Sequence, residues 1–302
     1  MPWLTVHQVS EKDSIAAAGL RAAVAPVKGK LAGTAARAPF DQVMERVAAP
    51  ADVSFEADTV GGISGWWAKP ARARKGAAII HAHGGWFNLG TASAYRHLVG
   101  HIASSAGADA FIPDYRLAPE HPFPAAVTDV EACYRGLVGK GINKIAVTGD
   151  SAGGALALVL LSKARAQAGG IAPVGAVAIS PVTDLALTGE TYGTRAEADP
   201  YFTKPQVAGL VASYLGETDP QNPLASPLYG DLSGLPPIRV HVGDDEVLLD
   251  DSRRYVQRAV AAGVDAKLDV WMGMPHGFVT GVHEFDAARQ ALNAIGAFLR
   301  QL

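Results

Sequence analysis

The chain has one cysteine, Cys133, in 302 residues, so no intrachain disulfide can form. That fits a reducing compartment, and a cytoplasmic location is expected. Cys133 falls inside a helix-period pattern over residues 127–137, where a small buried hydrophobe is the ordinary reading. Charge is also scarce. Asp, Glu, Lys and Arg make up 18% of the residues and the net charge is −3, which leaves no basic field for nucleic acid or an anionic membrane. The densest basic stretch, Lys69 to Lys75, reads as a solvated Pro/Ala-rich loop. No apolar run is long enough for a membrane span; residues 171–182 come nearest and are interrupted by prolines and a serine. The opening Met1-Pro2-Trp3-Leu4-Thr5-Val6-His7 has no basic stretch leading into an apolar one, so no signal peptide is expected. Metal-ligand spacing is lacking as well. His97 and His101 lie four apart, but Leu98 stands where a zinc-protease helix would carry its glutamate. Neither a metal nor an organic cofactor is expected.

What is present is a globular composition, 49% hydrophobic with 33 glycines, in a chain long enough for one large α/β domain or two small ones. Residues 1–48 read as amphipathic helices at 14–25 and 40–48. Residues 53–59 and 63–68 alternate around Gly61-Gly62 and predict a hairpin. Strands at 77–83, 110–113, 145–148, 175–180, 238–242 and 266–271 then take turns with helices at 94–106, 126–136, 152–168, 252–262 and 284–301. Such repetition predicts an α/β fold, a mostly parallel twisted sheet with helices on both faces. Residues 185–233 break the alternation, hold five prolines at 200, 205, 220, 223 and 227, and carry a helix pattern at 204–215. They are too long for an ordinary connection. The expected organisation is an N-terminal helical cap segment at 1–48, a core formed by 49–184 and 234–302, and a cap insertion at 185–233. The two cap pieces would cover the C-terminal edge of the sheet, where open α/β folds bind ligands.

Gly149-Asp150-Ser151-Ala152-Gly153 stands between an expected strand and an expected helix. Glycine-x-serine-x-glycine in that setting is a nucleophile turn: the serine backbone is strained and a Cβ on either side would crowd it. A serine hydroxyl needs a base to take its proton, an acid to orient the base, and donors for the oxyanion formed at the attacked carbonyl. His83-Gly84-Gly85-Trp86 at a strand end offers the amides of Gly84 and Gly85, and Ala152 offers a third. Met274-Pro275-His276-Gly277 places a histidine in a loop, free to reach the serine. The acid lies among the carboxylates after residue 242, and position in that loop favours Glu246 or Asp244.

Those segments, with Asp114-Tyr115-Arg116-Leu117-Ala118-Pro119-Glu120-His121-Pro122-Phe123-Pro124-Ala125-Ala126, resemble the hormone-sensitive-lipase-like esterases of the α/β-hydrolase fold, nearest to bacterial carboxylesterases and ε-lactone hydrolases. The resemblance runs from about residue 53 to the end. It implies Ser151 as nucleophile, His276 as base and Glu246 as acid, where the family usually has aspartate. It also implies hydrolysis of short-to-medium acyl esters, and dimerisation through the edge strand and last helix near the C-terminus, a monomer being the other option. Trp86 replaces the third glycine of the family's H-G-G-G, and its indole is expected to narrow the pocket. Phe87, Phe202, Tyr214 and Phe278 are further candidate walls. Asp114 and Arg116 are expected to form a buried ion pair. Lactone or amide hydrolysis would use the same residues, and a non-catalytic receptor on this fold is the remaining alternative.

Overall fold

A computed structural model describes residues 1–166 and 171–302. Among the described residues nine strands form one sheet: β1 (Leu4–His7), β2 (Val53–Val60), β3 (Ile63–Pro70), β4 (Ala77–Ala82), β5 (Asp109–Pro113), β6 (Lys144–Asp150), β7 (Gly175–Ile179), β8 (Ile238–Gly243) and β9 (Ala266–Trp271). Their order across the sheet is β1-β9-β8-β7-β6-β4-β5-β3-β2. The hairpin strands β2 and β3 are antiparallel to each other, and β3 is antiparallel to β5; the remaining pairs are parallel. The helices are α1 (Glu11–Val24), α2 (Arg37–Met44), α3 (Ala92–Ala106), α4 (Ala125–Gly139), α5 (Ala152–Ala166), α6 (Thr191–Thr194), α7 (Lys204–Leu215), α8 (Leu249–Ala261) and α9 (Asp286–Gln301). The expected end of the fifth of these, at 167–168, lies outside the described residues.

The central strands are apolar throughout because both faces are covered. In β7, Ala176 and Ala178 point into a core shared with α4, α5 and α8, while Val177 and Ile179 point into one shared with α3 and α9. That is the two-residue alternation of an extended chain. Cys133 is fully buried in the first of these cores. Burial, with a smaller push from Asp129, raises its thiol to about 12, so it behaves as a small hydrophobe.

The N-terminal segment is not wholly helical. Leu4–His7 is a strand paired in parallel with β9, so the outermost strand at that end is β1 rather than a C-terminal one. Four residues are too few for a period to show, and the pairing that makes them a strand comes from 260 residues away. Asp13 of α1, itself buried, accepts hydrogen bonds from the amides of Asp286 (2.6 Å) and Ala287 (3.1 Å) and thus caps α9. Such a carboxylate satisfies amides that the helix leaves unpaired and meets the positive end of its dipole.

Residues 1–48 and 185–233 touch each other. Lys28 Nζ donates to Ala196 O (2.7 Å), the Gly29 amide to Tyr201 O (2.9 Å) and Gln206 Nε2 to Leu31 O (2.7 Å). Arg21 reaches Ala198 O (3.3 Å), Gly273 O (3.2 Å) and the carboxylate of Asp245. The expected Asp114–Arg116 pair does not form. Arg116 instead makes a two-pronged pair with Asp129 of α4, the shortest bond being 2.7 Å, and Asp114 accepts from the Ala92 amide at the start of α3 (2.6 Å). Asp114 meets a free amide of α3 and Arg116 a carboxylate of α4, so two residues two positions apart serve different helices.

Candidate active site

The sheet brings four loops to one edge. Ala82 of β4 is in register with Gly149 of β6, so the loop beginning at His83 leaves the sheet beside the one carrying Ser151. Glu246 follows β8, and His276 follows the neighbouring β9.

Ser151 sits between β6 and α5 at φ +53°, a left-handed conformation that is strained for a residue with a Cβ. It is held there by its amide on Ile179 O (2.8 Å) and by its carbonyl accepting from Val182 (3.1 Å) and Ala155 (3.2 Å). The flanking glycines are needed for space. A Cβ on Gly153 would overlap the carbonyl oxygens of Ala82 and His83, and one on Gly149 would overlap the Gly153 carbonyl.

Glu246 is fully buried. Its Oε1 accepts from Ser180 Oγ (2.7 Å) and the Gly243 amide (2.6 Å), and its Oε2 meets Nδ1 of His276 at 2.7 Å. Asp244 is turned away and pairs with Arg195 at 3.1 Å. Of the two acids left open by position in the loop, Glu246 is therefore the one that faces the imidazole. The His276 side chain is 13% exposed. Burial pulls its pKa down, but Glu246, supported by Asp199 and Asp150, outweighs that and leaves it raised above 6.5. A carboxylate on Nδ1 fixes the tautomer that leaves Nε2 free to accept a proton. No hydrogen bond joins Ser151 Oγ to His276 here. Such contacts commonly tighten only when substrate arrives.

Of the three amides expected to face an oxyanion, one already has a protein acceptor. The Gly84 amide donates to Asp150 Oδ1 at 3.0 Å, so it is already committed. Among the described residues, the amides of Gly85, Trp86 and Ala152 have no protein acceptor. Asp150, the residue just before the serine, also receives His81 Nε2 (3.2 Å) and the Tyr95 hydroxyl (3.3 Å). It ties the loop after β4 to the serine turn, a link that one variable position in a five-residue motif does not reveal. His81 is fully buried, and its other nitrogen is 2.9 Å from Thr148 Oγ1. His83 is buried, with Nδ1 2.8 Å from Gly84 O and its ring stacked on Tyr115. His97 and His101 contact the carbonyls of Val47 (2.7 Å) and Ala48 (2.8 Å), and no metal-binding cluster occurs among the described residues.

Two of the five candidate wall residues come to the imidazole as a chain. Trp86 meets Phe202 edge-on at 5.4 Å, and Phe202 meets His276 edge-on at 5.0 Å. Phe202 is set by buried Asp199, which accepts from the amides of Tyr201 (2.9 Å), Phe202 (3.0 Å) and Val247 (2.9 Å), and so clips the insertion to the Glu246 loop. Phe87 and Tyr214 stack on each other at 3.8 Å and fasten α7 to the loop after β4. Phe278 packs against Trp271 at 5.8 Å within the core of α3 and α9.

A strained serine on a strand-to-helix turn, an imidazole–carboxylate pair and unpaired amides at one sheet edge define a nucleophilic hydrolase of the α/β type. Residues 79–280 match the family described as alpha/beta hydrolase fold. A crystal structure of an esterase from the bacterial hormone-sensitive lipase family superposes with a TM-score of 0.89 at 39% identity, covering 97% of this chain and 98% of that one. An acetyl-hydrolase of Streptomyces hygroscopicus is 40% identical over 244 residues, 80% of this chain and 81% of its own. An esterase of Acinetobacter venetianus is 33% identical over 305 residues, spanning 100% of this chain and 99% of its own. The chain belongs to the α/β-hydrolase family, among its hormone-sensitive-lipase-like esterases. Among the described residues no helix is long and apolar enough to cross a membrane.

Proposed function

We propose that Ser151, His276 and Glu246 carry out the reaction of this serine carboxylester hydrolase. His276 Nε2 takes the Ser151 proton as Oγ attacks the ester carbonyl. The oxyanion then lies against the amides of Gly85, Trp86 and Ala152. Collapse of the tetrahedral species expels the alcohol, which receives its proton from His276, and leaves an acyl-serine. Water, deprotonated by the same imidazole, attacks the acyl group and restores Ser151. Glu246 holds the imidazole tautomer and stabilises the imidazolium formed in each half. Each oxyanion amide contributes roughly 3 kcal/mol of barrier lowering.

The observation that carries this reading is the 2.7 Å contact of His276 Nδ1 with a fully buried Glu246 whose other oxygen is already occupied. The Trp86–Phe202 pair beside His276 favours short-to-medium acyl groups, in line with the acetyl-hydrolase among the relatives. Residues 1–48 and 185–233 act as one cap, supported by the contacts between them. A homodimer through the β1 edge and α9, and a cytoplasmic location, complete the proposal. Light scattering on purified protein tests the first, and fractionation of the host cell the second.

The test of the function is labelling by a fluorophosphonate, followed by peptide mapping. Modification at Ser151 with loss of p-nitrophenyl butyrate hydrolysis is expected; full activity after modification of Ser151 would reject the assignment. Paired assays of an ester, its matched anilide and a lactone rank the three leaving-group classes.

A further inference from the structure

Directly after the two glycines of the loop following β4, Trp86 and Phe87 both have positive φ, +52° and +60°. Neither is a glycine, and each such residue costs roughly 1–2 kcal/mol. Something must hold this pair in place, and the Trp86 amide is one of the three assigned above to the oxyanion. The residue that grips it is Asn88, which is 3% exposed. Its Nδ2 donates to Trp86 O at 2.6 Å and to Leu210 O of α7 at 3.1 Å. Its Oδ1 accepts from Ser213 Oγ of α7 at 2.8 Å. Its own carbonyl accepts from Arg37 Nε at 2.9 Å, and the same guanidinium continues to Ala118 O (2.9 Å) and to Glu120. One side chain and one carbonyl thus join the strained loop to the insertion through α7 and to the N-terminal segment through α2.

We propose that Asn88 is a positioning residue that makes the geometry of the oxyanion donors depend on the seating of the cap. The inference rests on the reading of Ser151 as nucleophile with the Gly85 and Trp86 amides facing the oxyanion. A carboxamide suits the task because it supplies two donors and an acceptor in one plane. All three are used here: the donors hold two carbonyls, one on the loop and one on α7, and the acceptor fixes the amide's orientation. The cap then contributes to the chemical step as well as covering the substrate. The carbonyl that Asn88 grips is on the Trp86–Phe87 peptide and the N–H is on the peptide before it, so the two are linked through rotation at the Trp86 Cα; releasing Asn88 frees φ of Trp86 to relax toward negative values, which swings the N–H away from the place where the carbonyl oxygen becomes negative. A displacement near 1 Å is enough to cost about 100-fold in rate.

The test compares wild type, Asn88→Ala and Ser213→Ala, each checked for folding by circular dichroism and thermal melting. The readouts are kcat and KM for p-nitrophenyl acetate and the inhibition constant of an alkylboronic acid, which forms a tetrahedral anion on a nucleophilic serine. The expected result for Asn88→Ala is a kcat loss of about 10- to 100-fold with KM within about 2-fold, and a parallel loss of boronic-acid affinity, since only the charged tetrahedral form uses the donors. Ser213→Ala, which removes one of the contacts between α7 and Asn88, is expected to lose about 3-fold in the same two quantities. Unchanged kcat and boronic-acid affinity in folded Asn88→Ala, or a loss confined to KM, overturns the proposal. If Asn88→Ala does not fold, Ser213→Ala decides on the same criteria. Activity retained by Ser151→Ala would instead reject the underlying mechanism, so the two failures are distinguishable.

Discussion

The loops at the sheet edge and the proposed cap of residues 1–48 and 185–233 are held by different forces. Ser151 and Glu246 are fixed largely by strand-end backbone and by short bonds from groups anchored in the sheet, such as Ile179 O, the Gly243 amide and Ser180. The cap is fixed by long side chains reaching to carbonyls: Arg21 to Ala198, Lys28 to Ala196, Arg37 to Asn88 and Ala118. Strand-end placement is rigid because moving one atom means moving a strand. Side-chain tethers are adaptable, since a change of one residue shifts the wall without disturbing the sheet. On the proposed reading, the nucleophile and its acid sit on the part that resists change, and the walls around them on the part that permits it.

Ser151→Ala breaks the comparison most sharply. The expected outcome is a loss of about 10⁴-fold or more in kcat with an unchanged melting temperature, read from p-nitrophenyl butyrate hydrolysis and calorimetry. Next is Glu246→Gln, expected to lose about 10²- to 10⁴-fold, while Asp244→Asn, which disturbs only the Arg195 pair, stays within about 3-fold. The pH dependence sharpens the same point. Only neutral His276 accepts the serine proton and its pKa is raised, so kcat/KM should climb with pH and level off above a midpoint higher than 6.5. Removing the Glu246 charge should move that midpoint to lower pH as the maximum falls. A midpoint unmoved in Glu246→Gln would separate the imidazole from its assigned partner.

Smaller effects belong to the cap side. Trp86→Gly places a residue suited to positive φ where strain now exists. Loss of the buried indole outweighs that relief and should lower stability by about 2–4 kcal/mol, while preference shifts toward longer acyl chains by about 3- to 10-fold, measured across p-nitrophenyl esters from acetate to decanoate. An unshifted profile would remove Trp86 from the pocket wall. Arg21→Ala, which loses the bonds to Ala198 O, Gly273 O and Asp245, should lower stability by about 1 kcal/mol and alter kcat less than 3-fold. A larger kcat loss would mean that the cap reaches the chemistry by a second route.

Much of the fold was readable where one physical signal dominates. The run Lys204–Leu215, with threonine before it and Gly216 after it, has the same limits in sequence and structure. Elements whose identity depends on a distant partner were not readable. Leu4–His7 becomes a strand only because β9 is beside it. Arg116 chooses Asp129 over a nearer acid because α4 brings that carboxylate under it. At the site, glycine and proline marked the loops correctly, since backbone freedom is a property of the residue itself. Which Gly84–Trp86 amides remain free is decided by Asp150 across a strand boundary, and no local pattern encodes that. A lone asparagine in a turn is ordinary, so Asn88 carries no local signal; two of its side chain's three partners, Leu210 and Ser213, lie more than 100 positions further along.

The pairing of β1 with β9 also has a consequence for how the molecule is made. Leu4–His7 meets Leu268–Trp271 in register, and His276 lies just beyond. On the ribosome Leu4–His7 therefore waits, unzipped, until Leu268–Trp271 has emerged. The outer ladder of the sheet and the base of the active centre are completed in the same late step, so a nascent chain shorter than this has no finished site to expose.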